Sequence, residues 1–264
     1  MKFDKEIAAQ LSALVQRARF IRDNARVKEL AHQYAEMFDR LQLRLRPSVG
    51  SFSLVSCSQT TPQIGRPNLR HADDLKRELE DLQAGRQTLN GPGRRTPEKA
   101  LQSWLISTAL KTGEVVSISA ALRDNNRYWL VSDEIALQGS SDKFVADMLL
   151  VKESPQGAAQ LVNAELKYER SMKTFAQVCK FREVLENEEM VDAWRVFAET
   201  MTGRKFNWGQ SPQSSGLVIW PGLPAGTPTP SATINKMRDP DYERIATLGY
   251  YPFLLALEYG GGNA

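Results

Sequence analysis

The feature that most constrains the fold is a strand–turn–strand pattern between residues 143 and 168. The run 143–151 is almost wholly apolar, residues 153–157 are rich in turn formers, and residues 162–168 alternate in polarity. Because a strand sends alternate side chains to opposite faces, Glu165 and Lys167 lie on one face, and Val162, Ala164 and Leu166 lie on the other. The pattern therefore predicts a hairpin with one core-facing side and one polar side.

Asp147 interrupts the apolar run of the first predicted strand. An isolated carboxylate in a buried strand needs a partner or a metal ion, because burying an unpaired charge is costly. The hairpin can place Asp147 beside Glu165, where a hard divalent cation would relieve the repulsion between two like charges. The alternative is that Glu165 and Lys167 are ordinary charged residues on an exposed strand face.

Glu98 lies at the start of a predicted helix that opens with Thr96 as the N-cap and Pro97 as the first helical residue. The spacing predicts a helix from Pro97 to about Lys111. Glu98 precedes Leu101 of its apolar stripe by three residues, so both share a side of the helix. Its carboxylate either points toward the sheet or favours the positive end of the helix dipole.

Glu98, Asp147 and the acid-x-Lys signature of Glu165 and Lys167 together resemble the PD-(D/E)xK nuclease superfamily, whose members share the restriction-endonuclease-like fold. The resemblance covers roughly residues 96–187 and can extend to the C-terminus. Ala146 occupies the position where the family pattern has proline. The resemblance implies an α/β fold with a central mixed sheet flanked by helices, preceded here by a helical N-terminal extension.

The resemblance also implies roles for these residues in a magnesium site, where Mn²⁺ can substitute. Asp147, Glu165 and the Leu166 carbonyl would bind the metal, Glu98 would act directly or through water, and Lys167 would position or activate the attacking water. The expected activity is hydrolysis of DNA phosphodiester bonds, most simply by an endonuclease in restriction, genome defence or repair. The rival interpretation is a catalytically silent nucleic-acid-binding or assembly protein with the same fold.

Some branches of this superfamily carry a glutamine in the helix after the lysine, followed four residues later by a tyrosine. Gln177 and Phe181 have that spacing here, so Gln177 is a candidate accessory residue although the tyrosine hydroxyl is missing. Other chemistries find little support. His32 and His71 are the only histidines and fall outside the predicted core, which leaves little material for histidine catalysis or a zinc site.

The chain divides by pattern into three parts: a helical extension over 1–48, a linker with a short helix over 49–95, and the nuclease-like domain over 96–264. The first part has ten Lys or Arg against six acidic residues, whereas the third has 17 against 20. Basic upstream regions can follow a nucleic-acid backbone. Arg94 and Arg95, at the end of the linker, are candidate phosphate contacts, with solvated linker charge as the alternative.

The N-terminal part repeats apolar residues at helical spacing, with a change of frame near Asp23 and Asn24. The pattern predicts a helical hairpin or a long coiled-coil helix. Its apolar stripe can pack on the nuclease-like domain, or it can bind a second copy or a partner protein. The charged N-terminus lacks a signal-peptide core and no segment is apolar for long enough to span a bilayer, so we expect a cytoplasmic protein with no membrane contact.

Overall fold

The computed structural model describes residues 5–57, 65–86, 97–140, 142–210, 213–222, 227–228 and 244–250, together with four single positions between 231 and 242. The first part of the chain is helical. Its helices are α1 (Lys5–Asp23), α2 (Ala25–Gln33) and α3 (Ala35–Leu41). Asn24 separates α1 from α2 because its extended backbone ends the first helix and its side chain caps the second, accepting from the N–H groups of Arg26 and Val27.

A small antiparallel sheet follows the helices. It consists of β1 (Leu43–Ser48), β2 (Ser51–Ser56) and β3 (Gly65–Leu69), in that order, and α4 (Ala72–Gln83) packs against it. Residues 43–48 are therefore a strand rather than part of a helical extension. The predicted linker over 49–95 likewise contains two strands besides the expected short helix. The stability of these short strands comes from a core shared with α2, α3 and α4.

The second part of the chain builds a larger mixed sheet. Its helices are α5 (Pro97–Ala109), α6 (Val116–Leu122), α7 (Lys173–Leu185) and α8 (Val191–Thr202). Its strands are β4 (Arg127–Gln138), β5 (Lys143–Glu153), β6 (Ala158–Leu166), β7 (Asn207–Trp208), β8 (Ser214–Pro221) and β9 (Ile245–Tyr250).

Strand order in this sheet is β4-β5-β6-β8-β9, with β7 also pairing with β6. The pairs from β4 to β6 are antiparallel, and those from β6 through β8 to β9 are parallel. Helices α5 and α6 cover one face, while α7, α8 and α1 cover the other. The fold is thus an α/β arrangement with a mixed sheet flanked by helices.

Helix α1 belongs to the core of this larger sheet. Ile7, Leu11, Leu14 and Ala18 are buried in one cluster with residues of α8 and β4. The apolar stripe that could have served a coiled coil is therefore covered within the same chain. Among the described residues, no helix is long and apolar enough to cross a membrane. A cytoplasmic location stays a prediction.

Candidate active site

The predicted hairpin is formed by β5 and β6, and it brings Asp147 next to Glu165. Antiparallel pairing runs up to Met148 opposite Ala164, so Asp147 and Glu165 stand at the next position along the two strands. Leu166 N–H, which lies beyond that pairing, donates instead to Oδ2 of Asp147 at 2.8 Å. The Asp147 side chain thus replaces a missing backbone partner, and this fixes its carboxylate at the end of the ladder.

Strand alternation also holds as expected around Glu165. Val162, Ala164 and Leu166 are buried in the core beneath α5 and α6. Glu165 and Lys167 fall on the alternate positions, and Glu165 is only 2% exposed. The common placement of the acid and the lysine was therefore predictable from the period of the strand alone.

Lys167 joins the two carboxylates into one charged group. Its Nζ lies 3.1 Å from Oε2 of Glu165 and 3.6 Å from Oδ2 of Asp147. Burial lowers the pKa of Lys167, but the negative charges of Asp147 and Glu165 outweigh it, so that pKa is raised above its ordinary value. The ammonium is consequently held charged beside the two acids.

Glu165 shows the electrostatic consequence of this crowding. Burial and then the negative charge of Asp147 raise the pKa of Glu165 to about 8, against the opposing influence of Lys167. At neutral pH the Glu165 carboxyl is therefore largely protonated, because a second negative charge beside Asp147 is unfavourable in a site shielded from water. Further positive charge at this position would be stabilising.

Glu98 lies near this group at the start of α5 and is half-buried. Burial raises the pKa of Glu98, Lys167 opposes the rise and Asp147 adds to it, so all three side chains lie within electrostatic range. Within the described part of the chain, however, no three His, Cys, Asp or Glu side chains are grouped so as to hold one metal ion. The structure therefore does not place Glu98 in one ligand group with Asp147 and Glu165.

Gln102 links α5 to the site, and the sequence analysis missed it. It is buried, and its Nε2 donates to the backbone oxygen of Asp147 at 2.8 Å. Its Oε1 accepts from Lys99 at 3.1 Å. The available signal was its position four residues after Glu98, which places both side chains on one face of the helix.

Glu134 is a second residue that the sequence analysis missed. Its neighbours Asp133 and Ile135 pair with Met148 and Ala146, so Glu134 stands across from Asp147 in β4. It forms an ion pair with Lys99 of α5. Its φ is 51°, a left-handed backbone conformation that is uncommon outside glycine.

The two strands are irregular at this same level. In β5, Ala146 packs in the core on the α1 and α8 side, whereas Met148 packs in the core under α5. Simple alternation would put both on one face, so it is interrupted at Asp147. The distorted position of Glu134 therefore lies beside the distorted position of Asp147, and Lys99 and Gln102 of α5 cover both.

The remaining predicted site residues have different outcomes. Gln177 is exposed on α7, while Phe181 is buried, so Gln177 is not part of the buried group around Glu165. Arg94 and Arg95 lie outside the described residues. Leu166 contributes its N–H to Asp147, and a role for its carbonyl stays a prediction.

Comparisons with known proteins assign neither a family nor a function to this arrangement of residues. No protein-family model, curated protein or solved structure matches the chain. Its functional interpretation therefore depends on the arrangement of the residues themselves.

Proposed function

We propose that this chain is a magnesium-dependent nuclease that hydrolyses DNA phosphodiester bonds. The observation that carries the proposal is the Lys167 ammonium, 3.1 Å from Glu165 and 3.6 Å from Asp147, at the end of two paired strands. Two buried acids with one lysine between them are what the acid-x-Lys pattern requires for phosphodiester chemistry. The restriction-endonuclease-like fold remains part of this proposal, supported by the mixed sheet with helices on both faces.

The donor set fits a hard divalent cation. Asp147 and Glu165 supply carboxylate oxygens, and their mutual repulsion favours a positive charge between them. Magnesium keeps several waters and commonly binds through one or two carboxylates together with substrate phosphate oxygens. A two-carboxylate site is therefore sufficient, with Glu98 acting through water and the Leu166 carbonyl as a further oxygen. Manganese has similar ligand preferences and can substitute.

In this proposal, different residues of the chain have different roles around the reacting phosphate. A bound Mg²⁺ would supply charge stabilisation and a water of lowered pKa. Lys167 places a positive charge where negative charge develops on the phosphate oxygens, and it orients the attacking water. Asp147 is fixed through both its side chain and its backbone, by Leu166 and Gln102 respectively.

The choice of DNA over RNA, and a role in restriction, genome defence or repair, come from the family resemblance. The test is cleavage of a panel of single-stranded, duplex, nicked and branched DNA, with a matching RNA strand, over a Mg²⁺ and Mn²⁺ titration. We expect metal-dependent cleavage by the wild type. Lys167→Ala should reduce the rate by about 10²- to 10³-fold. It should also lower the melting temperature, because two buried acids lose their cation, but the variant should remain folded at assay temperature and bind DNA.

Lys143→Ala is the matched control, because Lys143 is an exposed lysine at the start of β5, four residues before Asp147. This variant should cleave like the wild type. DNA binding without metal-dependent cleavage of any substrate by the wild type would contradict the proposal and favour the catalytically silent binding protein.

A further inference from the structure

A large cavity lies away from the candidate active site, where the N-terminal helices meet the larger sheet. Its volume is about 910 Å³, and its walls come from α1, α2, β1, β4 and the C-terminal ends of α5 and α8. The site residues Glu98 and Gln102 occupy the first turns of α5, whereas the cavity begins at Ala109. A helix rises 1.5 Å per residue, so roughly 10 to 17 Å separates the two along α5.

Positively charged residues from four different parts of the chain line this cavity. They are Arg22 of α1, Lys28 of α2, Arg44 of β1 and Lys111 just after α5. Only two acidic side chains, Asp23 and Glu199, are part of the described lining. Solvated surface charges have no reason to gather at one place. Because these four residues come from separate parts of the chain, no local sequence pattern explains why they line the same cavity.

The acidic residues of the lining offset little of this charge. Glu199 already accepts from Lys205 Nζ at 2.5 Å and from Trp208 Nε1 at 3.0 Å. Its negative charge is thus directed toward other partners. Asp23 is left as the one acidic group of the described lining that can oppose Arg22, Lys28 and Lys111, while Arg44 pairs with Asp133 outside the lining.

Arg44 is the most buried of the four cations, with a side chain only 11% exposed. It forms an ion pair with Asp133, but Arg46 shares the same carboxylate at 3.4 Å. Two guanidinium groups therefore share the Asp133 carboxylate, and Glu134 adds a further attractive charge for both. Within the described residues, Nε of Arg44 has no hydrogen-bond partner, and a buried donor of this kind is costly.

The rest of the cavity wall is largely apolar. It includes Ile21, Val27, Leu45, Leu130 and Met201. Ligand pockets of roughly 300 to 1,000 Å³ typically combine such walls with a few convergent polar groups. A phosphate group can pair with the cations while a planar base packs on the apolar side chains.

We propose that this cavity binds a nucleoside phosphate. Its size admits one small ligand rather than a nucleic-acid duplex, and its surplus positive charge selects an anion. The inference is independent of the proposed nuclease activity, because it uses none of the residues around Asp147 and Glu165.

The test is calorimetric titration of the full chain with AMP, ATP and inorganic pyrophosphate in EDTA, so that metal-dependent chemistry does not contribute. We expect saturable binding of a nucleotide with a Kd of about 1 mM or tighter. The double variant Lys28→Glu and Lys111→Glu should weaken it by about tenfold or more, because two favourable charges become repulsive. Both lysines are exposed, so the variant should keep the wild-type melting temperature.

Lys5→Glu is the matched control, since Lys5 is an exposed lysine of α1 outside the cavity. It should bind the nucleotide like the wild type. Pyrophosphate binding without any advantage for a nucleotide would overturn the proposal, as would the absence of binding at millimolar concentration. Equal weakening by the control and the double variant would overturn it as well, because it would show a nonspecific charge effect.

Discussion

Asp147 is held through two separate atoms, and this makes its surroundings testable. Gln102 donates to its backbone oxygen at 2.8 Å, whereas Leu166 N–H donates to its carboxylate. Gln102→Leu keeps the approximate volume but leaves that backbone oxygen buried without its donor, at a cost of about 1–3 kcal/mol. We expect the strand to shift locally. The proposed nuclease activity then predicts a rate of DNA cleavage lower by about tenfold or more, with a higher Mg²⁺ concentration needed for half-maximal rate.

The control for that substitution is Gln177→Leu, on the exposed surface of α7. It should leave the Mg²⁺ dependence of cleavage unchanged. If Gln102→Leu lowers the melting temperature but leaves the Mg²⁺ dependence at the wild-type value, Gln102 supports the fold and does not position Asp147.

Glu165 carries a cost in stability that its substitution should remove. Its folded pKa of about 8 lies above the unfolded value of about 4.3, so between these values the native state binds more protons than the unfolded state. The free energy of unfolding must therefore fall as pH rises through this window. The raised pKa of Lys167 contributes a constant stabilisation within this pH window, because that stabilisation is lost only at higher pH.

Glu165→Gln should consequently be more stable than the wild type in EDTA at about pH 7.5, by on the order of 1–3 kcal/mol, and the gain should shrink toward about pH 5. Urea unfolding at both pH values measures this difference. If Glu165→Gln changes the free energy of unfolding equally at the two pH values, the raised pKa of the buried Glu165 carboxyl is not the cause of the change.

The positions of residues that depend on the local sequence pattern were predictable, whereas positions that depend on tertiary contacts were not. The shared face of Glu165 and Lys167 follows from strand period, and the anomaly of Asp147 follows from its apolar neighbours. Glu134 and Gln102 gained their positions from the interrupted pairing of β4 and β5 and from the docking of α5. Neither the left-handed backbone of Glu134 nor that docking has a signal within a short window of sequence.

At the scale of elements, a close helix–sheet contact positions α7 against the strand that carries Glu165. Gly216 of β8 pairs with Asn163 of β6, and Asn163 Nδ2 donates to the Val178 oxygen of α7 at 3.3 Å. A β-carbon on Gly216 would overlap the side chain of Val178. The absence of a side chain at this position is therefore what lets the helix approach the sheet.

Gly216→Ala should lower the free energy of unfolding by about 1–3 kcal/mol, because α7 must move outward to accommodate the methyl group. Thermal unfolding measures the loss. Gly209→Ala is the control, since nothing lies within 4 Å of the β-carbon position there and no positive φ is required. Similar losses for both alanine variants would contradict a packing origin.

The small sheet shows why some elements escape sequence reasoning. β1 and β2 alternate in polarity over only four residues each, 43–46 and 51–54, and β1 then contains Pro47. β2 is nevertheless buried at five of its six residues, on both faces. Helix α4, by contrast, has a clear apolar stripe and coincides with the predicted short helix. Short strands stabilised by a distant core resemble loop sequence until their packing partners are known.

At the scale of the whole molecule, the N-terminal helices contribute to two hydrophobic cores. Helix α1 completes the core of the larger sheet, while α2 and α3 complete the core of the small sheet. The chain is therefore not a catalytic domain with a detachable extension. The same arrangement creates the cationic cavity, because its walls come from both parts.

Helix α1 packs in the core of its own chain, and this packing can be tested against the alternative that α1 is a dimerisation helix. Leu11 is 1% exposed and shares a core with Trp194 and Phe197 of α8. Leu11→Ala should cost about 2–5 kcal/mol through lost burial and the cavity that remains. Gln16→Ala, at an exposed position of the same helix, should have little effect.

Protein concentration distinguishes the two roles of α1. An intramolecular core predicts the same loss of Tm for Leu11→Ala at about 1 µM and about 100 µM, because association does not enter the unfolding equilibrium. If the stripe instead joined two copies, mass action would raise the wild-type Tm at the higher concentration, and the loss for Leu11→Ala would be equal or larger there. A wild-type Tm that rises with protein concentration, or a loss for Leu11→Ala that grows with it, would therefore contradict the packing of α1 on α8, and with it the continuity of the core across the molecule.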